Sequence, residues 1–167
     1  IIGVASLSAA WLAQPFFQLI DIKIYYYGIL WALLNGTAGI SSYRSYITEK
    51  KYNLERLLLI FGFFMSSSFL LVYFLPNYFG VIFIFIIYYL RGILTPILKN
   101  QINLNTGSNI RATVMSIRSF MLRISFAVVA PILGFMADNK GVSDSFLLLS
   151  VLIIIFSSIS VLRLSKI

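Results

Sequence analysis

Cysteine and histidine are both missing from this chain. Without cysteine there is no disulfide, no thiolate nucleophile and no thiolate metal site. Without histidine the commonest general base and metal ligand is gone. Carboxylates are scarce too. The five present, Asp21, Glu49, Glu55, Asp138 and Asp144, fall at or outside the ends of hydrophobic segments. Charged residues make up 11% of the 167, against about 25% in soluble domains. Apolar residues fill their place, at 60% of the chain and a mean hydropathy of +0.95. That balance belongs in a membrane.

The same absences bear on chemistry. An intramembrane serine protease needs a base and a metalloprotease needs ligands. Only a Ser–Lys pair could survive this composition, and no lysine lies in mid-segment. The chain therefore reads as no enzyme, with no catalytic residue, no metal site and no cofactor. Its net charge of +8 fits cytoplasmic loops enriched in Lys and Arg, so nucleic acid is not an expected partner.

At about 20 residues per span, six helices fill the chain. They are predicted over residues 2–19, 24–41, 57–75, 79–98, 109–137 and 144–162. The expected fold is an all-α, six-transmembrane-helix bundle forming one domain over residues 1–167, with the lipid bilayer as its partner. The chain opens with Ile1 inside an apolar run and lacks a basic leader. It thus reads as a piece whose upstream part is absent, and not as a signal peptide.

The first segment begins with small residues (Gly3, Ala5, Ser6, Ser8, Ala9, Ala10) that permit close packing. Its second half carries Trp11, Gln14 and Gln18 on one helical face, with Pro15 between them freeing a carbonyl. Either this face lines a cavity or the glutamines bond neighbouring helices. The second segment opens on the interfacial aromatics Tyr25, Tyr26 and Tyr27. Tyr27, Trp31 and Asn35 then share a face, and Gly36, Ala38 and Gly39 offer a small patch for packing.

The loop SSYRSYITEKKYNLER follows, and the third segment bears the trio Ser66-Ser67-Ser68. In the fourth, Tyr88, Arg91, Gly92, Thr95 and Pro96 gather in the inner half, where the helix is weakened. A polar loop from Asn100 to Ser108 leads to the fifth segment, with Ser108 as its expected N-cap. Ser143 is the expected cap of the sixth, which is almost without polar features and reads as lipid-facing.

Charge within the apolar segments is the informative anomaly. An arginine at the bilayer centre costs at least about 2.5–3.5 kcal/mol, so such residues by default face a bundle interior or water. At 1.5 Å per residue, Arg91 and Arg123 each lie roughly 18 Å from a segment end, near the midplane of a core about 30 Å thick. Arg118 lies only about 10 Å in, so its simpler reading is a side chain snorkelling to the inner surface. No acid of the chain lies at the depth of Arg91 or Arg123. Their partners are then freed carbonyls, water, an anion, or a carboxylate outside this sequence.

Loop charge gives orientation. Arg44, Lys50, Lys51, Arg56, Lys99, Arg111, Arg163 and Lys166 follow the even segments, whereas Lys23 and Lys140 follow the odd ones. The first set belongs on the cytoplasmic side. Both ends of the chain are then expected at the cytoplasmic face of a cell inner membrane.

Four stretches carry a resemblance: WLAQPFFQ (Trp11 to Gln18), RGILTPIL (Arg91 to Leu98), RATVMSIRSFMLRISFAVVAPILGFMAD (Arg111 to Asp138) and GISSYRSYITEKKYNLERLL from Gly39. Together they make the chain similar to the C-terminal half of a major facilitator superfamily transporter, the bacterial drug-efflux-like members most. The last stretch looks like a degenerate second copy of that superfamily's basic loop motif. The resemblance implies a twelve-helix carrier of two halves rocking around a midplane site, whose first six helices are absent here and would be this chain's partner. It implies proton-coupled export of a small molecule, with the first, second, fourth and fifth segments lining the cavity and the third and sixth outside. The lining candidates are Trp11, Gln14, Gln18, Tyr27, Trp31, Asn35, Arg91 and Arg123. No acid here can carry the coupling proton at midplane, so it would lie in the absent half. The alternative is a stand-alone six-helix substrate-binding subunit of a vitamin or small-molecule importer.

Overall fold

A computed structural model describes residues 2–164, with side chains described as far as Ile159. Among these residues the fold is entirely helical. The helices are α1 (Ile2–Leu19), α2 (Tyr27–Tyr43), α3 (Ser45–Lys51), α4 (Leu54–Phe74), α5 (Tyr78–Leu104), α6 (Arg111–Asn139) and α7 (Val142–Leu164), with a single 3-10 turn at Ile24–Tyr26. Four helices are long and apolar enough to cross a membrane: α4, α5, α6, and α7 over Val142–Ile159. α1 and α2, at 18 and 17 residues, stand at the short end of the span range of about 17–25.

Three boundaries differ from the sequence reading. The loop after α2 holds an extra helix, α3. Its residues show no membrane-length apolar run, and its helicity rests on docking against α5. The polar stretch from Asn100 is helical through Leu104, because Asn105 Nδ2 and Thr106 Oγ1 donate to the carbonyls of Gln101 and Ile102 and satisfy the helix end. The expected caps are not used. α6 has Ile110 at its N-cap without a side-chain bond, and α7 starts at Val142, before Ser143.

Inside lipid there is no hydrophobic force between helices, so association rests on close packing and hydrogen bonds. The small residues show where this operates. α4 packs most extensively on α7. A Cβ on Gly62 would come within 2.7 Å of Ser157 Cβ, so the two backbones approach closely there. One turn on, the buried Ser66 hydroxyl lies 2.9 Å from the Ser150 carbonyl and 3.0 Å from its hydroxyl. Phe69 then meets Phe146. Ser66 of the α4 trio thus bonds the two helices together, while Ser68 donates to the Phe64 carbonyl of its own helix.

α5 crosses α2 at Gly92, where a Cβ would collide with the Ala38 carbonyl and the Ser41 hydroxyl. Gly92 therefore serves close approach and does not interrupt the helix. Of the small patch Gly36, Ala38 and Gly39, only Ala38 makes the crossing, together with Ser41; Gly36 and Gly39 have nothing within 4 Å of a built Cβ.

α1 packs against α5, α6 and α7. Its buried Ala5, Ser6, Ser8 and Ala9 bear out the small-residue reading, and Phe16 sits edge-on to Phe146 at 5.6 Å. α7 is more than a lipid-facing helix. It buries Ser145, Phe146, Leu149, Ser150 and Ile153 and keeps Val151, Ile154 and Ile155 exposed. α6 is the outlier, with Leu133 its one buried residue.

Candidate functional site

The eight lining candidates fall into four places, not one cavity. Along α1, Trp11, Gln14 and Gln18 are all exposed, as the i, i+3, i+7 spacing requires. Trp11 and Gln18 border a cleft of about 640 Å³ between α1 and α6, whose far wall includes Phe126, Ala130 and Gly134. Trp11 stands 6.0 Å from Phe126, ring to ring. Gln14 is outside this cleft. Ser8, at the cleft's inner wall, has a buried hydroxyl without a hydrogen-bond partner.

The second group lies between α2 and α5. Tyr88 is fully buried, Trp31 stands edge-on to it at 6.3 Å, and the Arg91 guanidinium is 5.4 Å from its ring centroid. A cation over an aromatic face is attracted by the ring quadrupole, more strongly when water is excluded. This is how a half-buried arginine is tolerated without an acid. The Tyr88 hydroxyl has no hydrogen-bond partner of good geometry. Asn35, one turn on from Trp31, is exposed and donates to the Trp31 carbonyl at 2.9 Å. Tyr27 is drawn elsewhere, edge-on to Phe17 at 5.6 Å, where it ties α2 to α1.

Arg123 stands apart on the open face of α6. It shares a shallow groove with Met115, Ser116, Ser119 and Phe120, all of the same helix. Ser116, Ser119 and Arg123 follow i, i+3, i+7 spacing, so they form one polar stripe.

Two features escaped the sequence reading. Tyr88 is the pivot between Trp31 and Arg91, and its i−3 spacing from Arg91 on α5 was the available signal. Arg118 is half-buried and is, among the described residues, the one charged residue lining a cavity of about 610 Å³ between α1, α4, α5, α6 and α7. Five helices converge on that cavity, so no local spacing could have announced it. Among the described residues no cluster of three metal-ligating carboxylates exists. No family model, no curated protein and no solved structure matches this chain.

Proposed function

We propose that the chain is one six-helix half of a membrane carrier of the major facilitator type, moving a small amphipathic molecule by alternating access, with proton coupling through an acid of the other half. One observation carries this reading: α6, which holds the midplane Arg123 and the Ser116–Ser119 stripe, buries only Leu133 against its own chain. A helix bearing a mid-span guanidinium does not face hydrocarbon by default, so this face calls for protein or water to cover it. Trp11 and Gln18, exposed on α1, border the cleft against this helix. On this reading all six long helices cross the inner membrane with both chain ends cytoplasmic, and the aromatic and cationic groups orient the cargo.

The test uses the chain's lack of cysteine. Ser119→Cys, placed in the full carrier, is expected to react with a water-soluble, membrane-impermeant thiol reagent, at a rate that changes when a proton gradient is imposed. If the introduced thiol resists this reagent and reacts only with lipid-soluble ones, the stripe lies against lipid and the proposal is overturned.

A further inference from the structure

We infer that α3 is a docking element for anionic phospholipid headgroups at the bilayer surface. The inference needs the chain to sit in a membrane and does not depend on transport. α3 joins the end of α2 to the start of α4, and α4 is long and apolar enough to cross a membrane. Its seven residues divide by helical face. Tyr46, Ile47, Lys50 and Lys51, at i, i+1, i+4 and i+5, are exposed, whereas Ser45, Thr48 and Glu49 turn inward and are half-buried.

The outward face is thus two bulky apolar groups and two ammonium groups. The one acid of the helix is taken up on the other side: Asn100 Nδ2 and Gln101 Nε2 each donate to Glu49 Oε1 at 2.9 Å. Those bonds pin α3 to α5, and no carboxylate of the helix competes for the outward cations.

The side chains are arranged for an interface. The Lys50 ammonium lies 4.4 Å from the Tyr46 ring centroid, and that of Lys51 lies 5.4 Å from Tyr52. Such contacts hold the cations beside the rings, and tyrosine rings settle at headgroup depth. Tyr43, 86% exposed, continues the aromatic face toward α2, and the exposed Arg56 adds a cation at the start of α4. Arg44 is engaged differently, donating to the Tyr89 hydroxyl at 3.3 Å.

Phosphodiester headgroups supply the complementary charge, and Ile47 and Tyr46 supply apolar insertion. A soluble polyanion would gain from the cations but not from the apolar pair, which favours a lipid. Each surface cation near an anionic leaflet is worth roughly fivefold in association.

The experiment places bimane on Ile47→Cys, a unique thiol in this chain, with the full protein in nanodiscs. Quenching by spin-labelled phosphatidylglycerol is compared with quenching by equally labelled phosphatidylcholine. The expected result is preferential quenching by phosphatidylglycerol, falling at least several-fold in Lys50→Gln/Lys51→Gln and unchanged in Arg111→Gln, a cation outside α3. Excess inorganic phosphate should leave the preference intact. Equal quenching by both lipids, quenching by neither, or a preference indifferent to the double variant would overturn the inference. So would loss of the preference to inorganic phosphate, which would mark a simple anion site. None of these readouts involves transport, so failure here and failure of the carrier reading are separately visible.

Discussion

Arg91 and Arg123 sit in different surroundings although both lie in apolar helices. Arg91 is half-buried and rests over Tyr88; Arg123 is exposed, with only residues of its own helix around it. Their substitutions should therefore separate. Arg91→Lys keeps a cation near the ring but loses the planar fork, so if the proposed carrier function holds, transport is expected to fall while insertion stays normal. Arg123→Leu should abolish transport with little change in the stability of this half, since its groove is built from α6 alone. Transport assays paired with thermal unfolding in detergent distinguish these outcomes; normal transport by Arg91→Leu and Arg123→Leu at normal expression would remove both from the site. Tyr88→Phe probes the buried hydroxyl. No hydrogen bond of good geometry reaches it, and a poorly satisfied buried hydroxyl costs about 1–3 kcal/mol, so the variant should be as stable as the parent or more so. A marked loss of stability would reveal a partner for that group.

At the scale of elements, glycines report which helix faces are already occupied. Gly62→Ala would press on Ser157 and should cost about 1–3 kcal/mol, the usual penalty for overpacking. Gly92→Ala should be worse, because its neighbour is the Ala38 backbone, which cannot rotate away. Gly36→Ala and Gly39→Ala meet open space and should be neutral or stabilising by up to about 1 kcal/mol through helix propensity. Unfolding titrations of the four variants in mixed micelles check the order. If Gly36→Ala and Gly39→Ala impair the full carrier while leaving this half intact, the open face of α2 is a contact with the other half.

For the whole molecule, topology is the testable quantity. On the proposed orientation, with the cation-rich loops cytoplasmic, Asn53 is expected on the cytoplasmic side and Asn139 on the opposite side. Single cysteines at these exposed positions should label from opposite faces of intact cells and inverted vesicles. Labelling of both by one impermeant external reagent would refute the arrangement. Among the four span-length helices of the described residues, α6 is the least covered.

Sequence alone determined the helical class and the rough extent of each long helix, because apolar runs of span length have only one common way to satisfy their backbone in lipid. It also determined that Trp11, Gln14 and Gln18 share a face, since i, i+3, i+7 spacing on a helix admits nothing else. Tertiary structure decided the rest. α3 was not legible, because a seven-residue helix depends on the bonds of Glu49 to Asn100 and Gln101, some fifty positions away. The partners of Gly62, Ser66 and Gly92 lie on other helices, and which small residue meets which is a matter of helix rotation and crossing that local pattern does not encode. For the same reason the eight candidates read as one lining in the sequence and became an α1 face, an aromatic–cation cluster, a tyrosine tying α2 to α1 and a solitary arginine in space.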